Sequence, residues 1–299
     1  MKPARVTIGV PAYNNARTLR ASVESLLNQT WGDFALIISD DHSADDTEAV
    51  CRSLARSDDR IRYVRQPRNL RYGNFGYLLN AAASEYFMWA PGDDRWDARF
   101  VARGVRELDS HPEAVAAVPQ VLFEHEGRPA ELAAGTYPLV RDHGRNVADF
   151  LSAPKDNSRM YGLFRTSAAQ RSFPSRTFHA YDWAFSAATL RFGQHREIPE
   201  VLMFREKTAT EQYVESVRAD TSSRLKRALP MTPMTVWLLQ KHRIPKSGPV
   251  LAALFALNID KHIDYCERFH EKYSAMSRPI AVRWKRNRWR FVSPDRSTD

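Results

Sequence analysis

Five short β-rich runs, Val6–Val10, Ala35–Ser39, Ile61–Val64, Tyr86–Trp89 and Ala114–Val118, alternate with longer stretches at helical spacing, Ala16–Asn28, Thr47–Arg56, Phe75–Ala83 and Arg99–Leu108. In the first helical stretch Leu19, Val23, Leu26 and Leu27 share one face. Strand and helix in strict alternation imply βαβ units. The predicted fold class is therefore α/β, with a mostly parallel central sheet flanked by helices. In open sheets of this kind ligands bind beyond the carboxyl ends of the strands, so chemistry belongs to the residues that follow each strand. Asn14-Asn15 punctuates the first strand-to-helix turn, and Ser43-Ala44-Asp45-Asp46 reads as a capping box for the second helix.

Between about 120 and 210 the rhythm loosens, with short runs at Met160–Phe164 and Val201–Phe204 and a helical pattern from Asp182 to Phe192. After 210 the chain reads as helices, Glu211–Leu229, Met234–His242 and Val250–Phe269, the last two separated by Ser247-Gly248-Pro249. The expectation is a helical appendage over 211–299 that ends in a basic tail.

Composition narrows the function classes. Hydrophobic residues make up 43% of the 299 residues, with seven Trp, fifteen Phe and eleven Tyr, enough to close a sizeable core. The two cysteines, Cys51 and Cys266, lack metal or disulfide spacing and suit a reducing cytoplasm. The Met1 end is broken by Pro11 and is not read as a signal peptide. The longest apolar run, Val250–Ile259, is about half of the roughly 20 residues that a membrane helix requires. A cytoplasmic protein, neither secreted nor membrane-spanning, is expected.

The net charge of +9 lies entirely in the last third: residues 1–200 hold 25 Lys/Arg against 25 Asp/Glu, and residues 201–299 hold 19 against 10. The densest stretch, Arg278–Arg290, has six basic residues and no acidic one, with Trp284, Trp289 and Phe291 interleaved or adjacent. Arg278–Phe291 is expected either to lie on an anionic membrane surface from the inner face of the cell membrane or to be an ordinary solvated tail or oligomer contact. The neutral first two-thirds argue against a nucleic-acid partner; oligomeric state is unassigned.

Two of the predicted strands end in adjacent acids: Ser39-Asp40-Asp41-His42-Ser43 and Ala90-Pro91-Gly92-Asp93-Asp94. Paired carboxylates at the ligand-binding edge suit a hard cation, Mg²⁺ or Mn²⁺, which neutralises phosphate oxygens. Polar turns and helix caps are the alternative use of Asp at such places. No GxGxxG or GxxxxGK[ST] is present, which counts against dinucleotide and P-loop enzymes, and GxSxG and HExxH are absent too. His42 beside the first acid pair is read as structural.

The runs V-T-I-G-V-P-A-Y-N-N, S-L-L-N-Q-T, F-A-L-I-I-S-D-D-H-S-A-D-D-T and A-S-E-Y-F-M-W-A-P-G-D-D-R-W, in this order over residues 6–96, resemble the family 2 glycosyltransferases of the inverting GT-A fold. N-S-R-M-Y-G-L-F-R at 157–165, Tyr181-Asp182-Trp183 and I-P-E-V-L-M-F-R-E at 198–206 continue the likeness. The resemblance covers roughly the first 210 residues. It implies a glycosyltransferase domain over 1–210, with a nucleotide-sugar-binding half at 1–120 and an acceptor-side half at 121–210. It further implies that Pro11, Ala12, Tyr13 and Asp41 hold the nucleotide, Asp41 accepting from the base ring, and that Asp93 joins them. Asp94 would be the direct metal ligand and Asp182 the catalytic base. Pro91 departs from the family's first acidic position, and the stretch Arg68–Asn80 aligns only with a shift, so neither Arg71 nor Asn74 is assigned to the diphosphate.

Sugar transfer needs charge stabilisation of the leaving diphosphate, a base on the acceptor hydroxyl, and attack from the opposite face, which inverts the anomeric carbon. The expected partners are a nucleotide-sugar donor and a saccharide or lipid-linked acceptor, in bacterial-type polysaccharide or glycoconjugate assembly. Asp41 is expected in an exposed turn, and Asp182 is readable both as base and as helix N-cap. Two other functions compete: a metal-dependent nucleotidyl- or phosphotransferase, and a non-catalytic carbohydrate- or polyanion-binding protein.

Overall fold

A computed structural model describes residues 4–125, 128–176, 178–206, 229–240, 243–269, 279, 282–284 and 286–288, with the side chains of 125, 128 and 265–269 outside the description. The predicted helix Glu211–Leu229 and most of the basic tail lie outside the described residues. The chain forms two compact units. The first comprises Met1–Pro138, Lys155–Thr177 and Phe192–Lys207, and the second Leu139–Pro154, Phe178–Arg191 and Thr208–Asp299.

The first unit is built on a nine-stranded sheet. β1 (Val6–Ala12), β2 (Phe34–Asp40), β3 (Ile61–Arg65) and β4 (Tyr86–Trp89) are followed by β5 (Arg95–Trp96), β6 (Ala114–His125), β7 (Arg128–Leu132), β8 (Leu163–Arg165) and β9 (Gln194–Glu206). Their order is β3-β2-β1-β4-β8-β6-β9-β5, with β7 on β6. β1 pairs in parallel with β2 and β4, and β2 with β3. This half is the predicted parallel sheet. β8, entered from a short 3-10 turn at Ser158–Tyr161, runs antiparallel to both β4 and β6, so the sheet as a whole is mixed.

α1 (Leu19–Leu27), α2 (Thr47–Ser57), α3 (Gly73–Ala81), α4 (Phe100–Ser110) and α6 (Thr166–Ser172) belong to this unit. The central strands are apolar along their length because helices cover them: Val6, Ile8, Val10, Leu36, Ile38, Phe87, Met88 and Trp89 are buried, against Leu19, Val23, Leu26 and Leu78 of the helices. Gly9 permits the close approach of α3 to β1. A Cβ there would lie 3.0 Å from the Phe87 ring and 3.1 Å from Leu78. Cys51 is buried in this core, and burial pushes its thiol up to about 12.

The second unit is helical. It contains α5 (His143–Ser152), α7 (Tyr181–Thr189), α8 (Thr232–Leu239) and α9 (Gly248–Phe269). α9 packs on α5, and α7 packs on both α5 and α8. Phe178 meets Trp237 of α8 at 6.0 Å between ring centroids, and Lys261 of α9 places Nζ 5.5 Å from the Trp183 ring. Gly248-Pro249 opens α9, as Pro does in a first turn.

Candidate active site

The carboxyl ends of β1, β2 and β4 fall on one edge because the three strands run parallel, with Ala12 level with Asp40 and Gly9 with Trp89. A cavity of about 410 Å³ opens there. Pro11, Ala12, Tyr13, Asp41 and Asp93, five of the residues singled out from sequence, line it. The remaining wall comes from Asn69, Arg71, Tyr72, Asn74 and Phe75 at the start of α3, with Asn15, Pro91 and Gly92.

Each loop is held by its own polar residues. After β1, Asn14 adopts a left-handed backbone (φ 52°), and its N–H donates to Ser43 Oγ at 2.9 Å. The N–H of Asn15 donates to Thr47 Oγ1 at 2.8 Å. These contacts tie the first turn to the second. The predicted capping box at Ser43–Asp46 is not formed: Ser43 is engaged by Asn14, and Asp45 receives both the N–H and the hydroxyl of Thr47, at 3.1 and 2.5 Å. Asp40 is an internal anchor, accepting from Ser43 N–H at 2.9 Å and Arg65 at 2.8 Å. His42 (φ 63°) sits in the turn with Nδ1 3.3 Å from the Gln66 carbonyl, a structural place as expected.

Asp41 differs from expectation. It is 3% exposed rather than in an open turn. One carboxylate oxygen accepts the N–H of Leu70 at 2.6 Å and the other the N–H of Arg71 at 2.7 Å. Burial pushes its pKa upward, and the two backbone donors oppose that. Arg71 is itself left-handed (φ 54°), so Asp41 stabilises a strained loop that supplies the cavity wall. Asn74 braces the same corner, donating to the Ser39 carbonyl at 2.9 Å and accepting from Ser39 Oγ at 2.5 Å. Sequence reasoning left Arg71 and Asn74 unassigned because the stretch Arg68–Asn80 aligns with the family only with a shift. Its position is fixed by bonds to β2, some thirty residues earlier.

At the end of β4 the two acids separate. Asp93 is exposed and faces the cavity. Asp94 is 3% exposed, with its Oδ2 3.1 Å from Nε of Arg205 on β9. The Arg205 guanidinium lies 4.5 Å from the Tyr161 ring centroid and 5.6 Å from that of Phe123. Burial pushes Asp94 up to about 7, against the pull of Arg205. Thr18 and Ser22 of α1 donate to the carbonyls of Gly92 and Pro91 at 2.9 and 3.1 Å, which fixes the turn before the acids. Arg205 had no signal in the sequence, being 111 residues from its partner.

Asp182 belongs to the second unit, in the first turn of α7. The cap position is Ala180, held at φ 61°, so Asp182 lies inside the helix rather than at its N-cap. Trp183 next to it carries Lys261 over its ring.

Among the described residues no group of three or more His, Cys, Asp or Glu is placed to hold a metal ion, so a cation here would rest on the Asp93-Asp94 pair alone. Asp93 opens on the cavity, and the second oxygen of Asp94 accepts no hydrogen bond among the described residues. Hard carboxylate oxygens of this kind suit Mg²⁺ or Mn²⁺.

The mixed, largely parallel sheet with its flanking helices matches the fold of the GT-A glycosyltransferases. The family model "Glycosyl transferase family 2" matches residues 7–173, more than half of the chain, and the protein belongs to that family. It is a nucleotide-sugar-dependent glycosyltransferase. The chain is 26% identical over 215 residues to the GalNAc(5)-diNAcBac-PP-undecaprenol beta-1,3-glucosyltransferase of Campylobacter jejuni, covering 69% of this chain and 67% of that one. Its fold is similar to the crystal structure of S. aureus TarS 1-349 in complex with UDP-GlcNAc, with a TM-score of 0.65 at 15% identity over 98% of this chain and 82% of that one. It is likewise similar to the mannosyltransferase PcManGT from Pyrobaculum calidifontis in complex with GDP-Man and Mn2+, with a TM-score of 0.59 at 16% identity over 96% and 82%.

Proposed function

We propose that the protein moves a sugar from a nucleotide diphosphate donor, seated in the cavity at the ends of β1, β2 and β4, to a hydroxyl of a lipid-linked saccharide, with inversion at the anomeric carbon. The observation that carries the reading is the convergence of Tyr13, Asp41, Arg71 and Asp93 on one cavity at the carboxyl edge of a parallel sheet. Likeness to an enzyme whose name carries a PP-undecaprenol-linked saccharide supports the acceptor class.

Tyr13 and the Pro11-Ala12 turn flank the nucleotide, with Asp41 fixing the loop that closes over it. Arg71, at the same wall, adds positive charge where a diphosphate needs it. Asp94, with Asp93 beside it, would hold a divalent cation, which when bound neutralises the leaving diphosphate. Asp182 serves as base: one of its carboxylate oxygens takes the proton of the acceptor hydroxyl as the hydroxyl oxygen bonds to the anomeric carbon and the bond from that carbon to the diphosphate oxygen breaks. Only one base is needed, and direct displacement inverts the centre. A cytoplasmic site at the inner face of the cell membrane suits such an acceptor; among the described residues no helix is long and apolar enough to cross a membrane.

Nucleotide release from a panel of nucleotide sugars, with Mn²⁺ and with chelator, tests the reading. Release of nucleoside diphosphate from one donor class, enhanced by a lipid-linked acceptor, is expected. Release of pyrophosphate would make the chain a nucleotidyltransferase, and saccharide binding without release would make it a binding protein.

A further inference from the structure

We infer that the second unit carries a docking face for an anionic lipid surface, formed by Leu251 and Phe255 of α9 together with Val282, Arg283 and Arg286. The inference deepens the proposed function by assigning a surface to the membrane that a lipid-linked acceptor implies.

α9 buries one side through Val250, Ala253, Leu254, Leu257 and Ile263. Leu251 and Phe255, one turn apart and therefore neighbours on the helix surface, are 40% and 57% exposed. Trp284 and Arg288 are both bound to one carboxylate of α9. Asp260 accepts Trp284 Nε1 at 2.8 Å on one oxygen and Arg288 Nε at 2.5 Å on the other. Arg288 also donates to the Ser152 carbonyl at 2.7 Å. The Trp284 ring then meets Phe255 edge-on, 6.3 Å between centroids. With Trp284 and Arg288 turned toward α9, Val282 is left 65% exposed and Arg283 and Arg286 are exposed.

Exposed apolar side chains on α9, and exposed Val282, Arg283 and Arg286 flanking the Trp284 that meets Phe255, thus lie in the part of the chain that holds the whole positive excess. Apolar rings that enter the acyl boundary while cations meet headgroups are the chemistry of an interfacial helix on anionic lipid. Charge complementarity selects that occupant over a second copy of the chain, which would bring like charge against like. The expected contribution of the tail thus changes in detail: Arg288 and the Trp284 N–H are spent on Asp260, and Phe255 and Leu251 of α9, which carried no tail-like signal, join the face.

Flotation of the full-length protein with phosphatidylcholine vesicles, with and without phosphatidylglycerol, tests the face. The wild type should float with the anionic vesicles only, and should be released by high salt. Leu251→Glu/Phe255→Glu and Arg283→Glu/Arg286→Glu should each reduce the bound fraction about tenfold or more at unchanged melting temperature. Leu132→Glu, an exposed apolar site on β7, should bind as wild type. Equal flotation of all variants overturns the proposal, as does a dimer in light scattering that Phe255→Glu dissociates without any vesicle binding. Donor hydrolysis in solution, measured on the same samples without vesicles, reports on the enzymatic reading separately. Its absence in a protein that floats would count against the proposed donor site and leave the lipid face standing.

Discussion

Arg205 on β9 and Asp94 after β4, 111 residues apart, form a buried ion pair with Nε 3.1 Å from Oδ2 and with side-chain exposures of 19% and 4%. The pair divides the Asp93-Asp94 doublet into one acid that faces the cavity and one whose charge is balanced from behind. Removing one member of a buried pair leaves an uncompensated charge, at about 3–5 kcal/mol. Arg205→Met should destabilise the protein by less than that, because Asp94, already pushed up to about 7, can take up a proton, and adding Asp94→Asn should restore part of the loss. Urea unfolding of the two single variants and the double variant measures the coupling; additive losses would mean that the two side chains act independently.

Donor binding should depend on a divalent cation through Asp94 more than through Asp93. Calorimetric titration of nucleoside diphosphate, with and without Mn²⁺, should show a metal-dependent gain in the wild type that Asp94→Ala abolishes and Asp93→Ala only weakens. Equal affinity in both conditions for wild type and Asp94→Ala would remove the metal from this site.

Asp41→Ala should affect folding and binding together. The change leaves the Leu70 and Arg71 N–H groups without their carboxylate, and a hydrogen bond to a charged group contributes about 1.5–3 kcal/mol. Asn is a poor rescue, because its NH₂ would face one of the two N–H donors. Melting curves and nucleotide affinity on the same samples check this, and amide exchange at 70 and 71 should accelerate in both variants. A normal melting temperature with lost binding would mean that Asp41 acts on the nucleotide alone.

Asp182→Asn should lower transfer by about 10²–10⁴-fold with donor affinity nearly unchanged. Asn keeps the size of the side chain and an accepting oxygen, so little stability should be lost. Turnover near wild type at saturating donor and acceptor would leave the base unidentified.

His195 sets a pH dependence of stability. It is fully buried, with Nη1 of Arg159 3.4 Å from its Nδ1, and both burial and that charge hold its pKa well below the usual histidine range. The unfolded chain takes up a proton below about pH 6.5 that the folded protein refuses, so stability falls as pH drops through that point. The slope from this group is at most about 1.4 kcal/mol per pH unit. Urea unfolding from about pH 7.5 to about pH 5.5 should show the decline, and His195→Gln should reduce it, leaving the share of His179 and His143, whose pKa values burial also lowers.

The β1-to-β4 half was legible because β1, β2 and β4 are apolar along most of their length and the helices between them carry an apolar face over a few turns, patterns that lie within about ten residues. The acid pairs were legible as chemistry because the strand ends place them at one edge. What was hidden depends on partners remote in sequence. Arg205 is an ordinary strand residue until β9 brings it under Asp94. Loop 69–72 has no periodicity, and Asp41 looked exposed because nothing in its neighbourhood announces the two amides that cover it. The antiparallel β8 escaped for the same reason: three residues are too few to declare a direction.

Asp41 grips the chain by main-chain N–H groups alone, at Leu70 and Arg71. Any residue but proline supplies such a group, so the anchor is indifferent to which side chains the loop displays. The wall's frame and its lettering are thereby separable. Position 72 can be rewritten to favour a different nucleotide or sugar while the frame keeps its shape, whereas Asn69, whose Oδ1 also accepts the Arg71 N–H at 2.7 Å, and Arg71, held at φ 54°, belong to the frame; a library randomised at 72 should yield folded proteins with altered donor preference far more often than one that touches position 41.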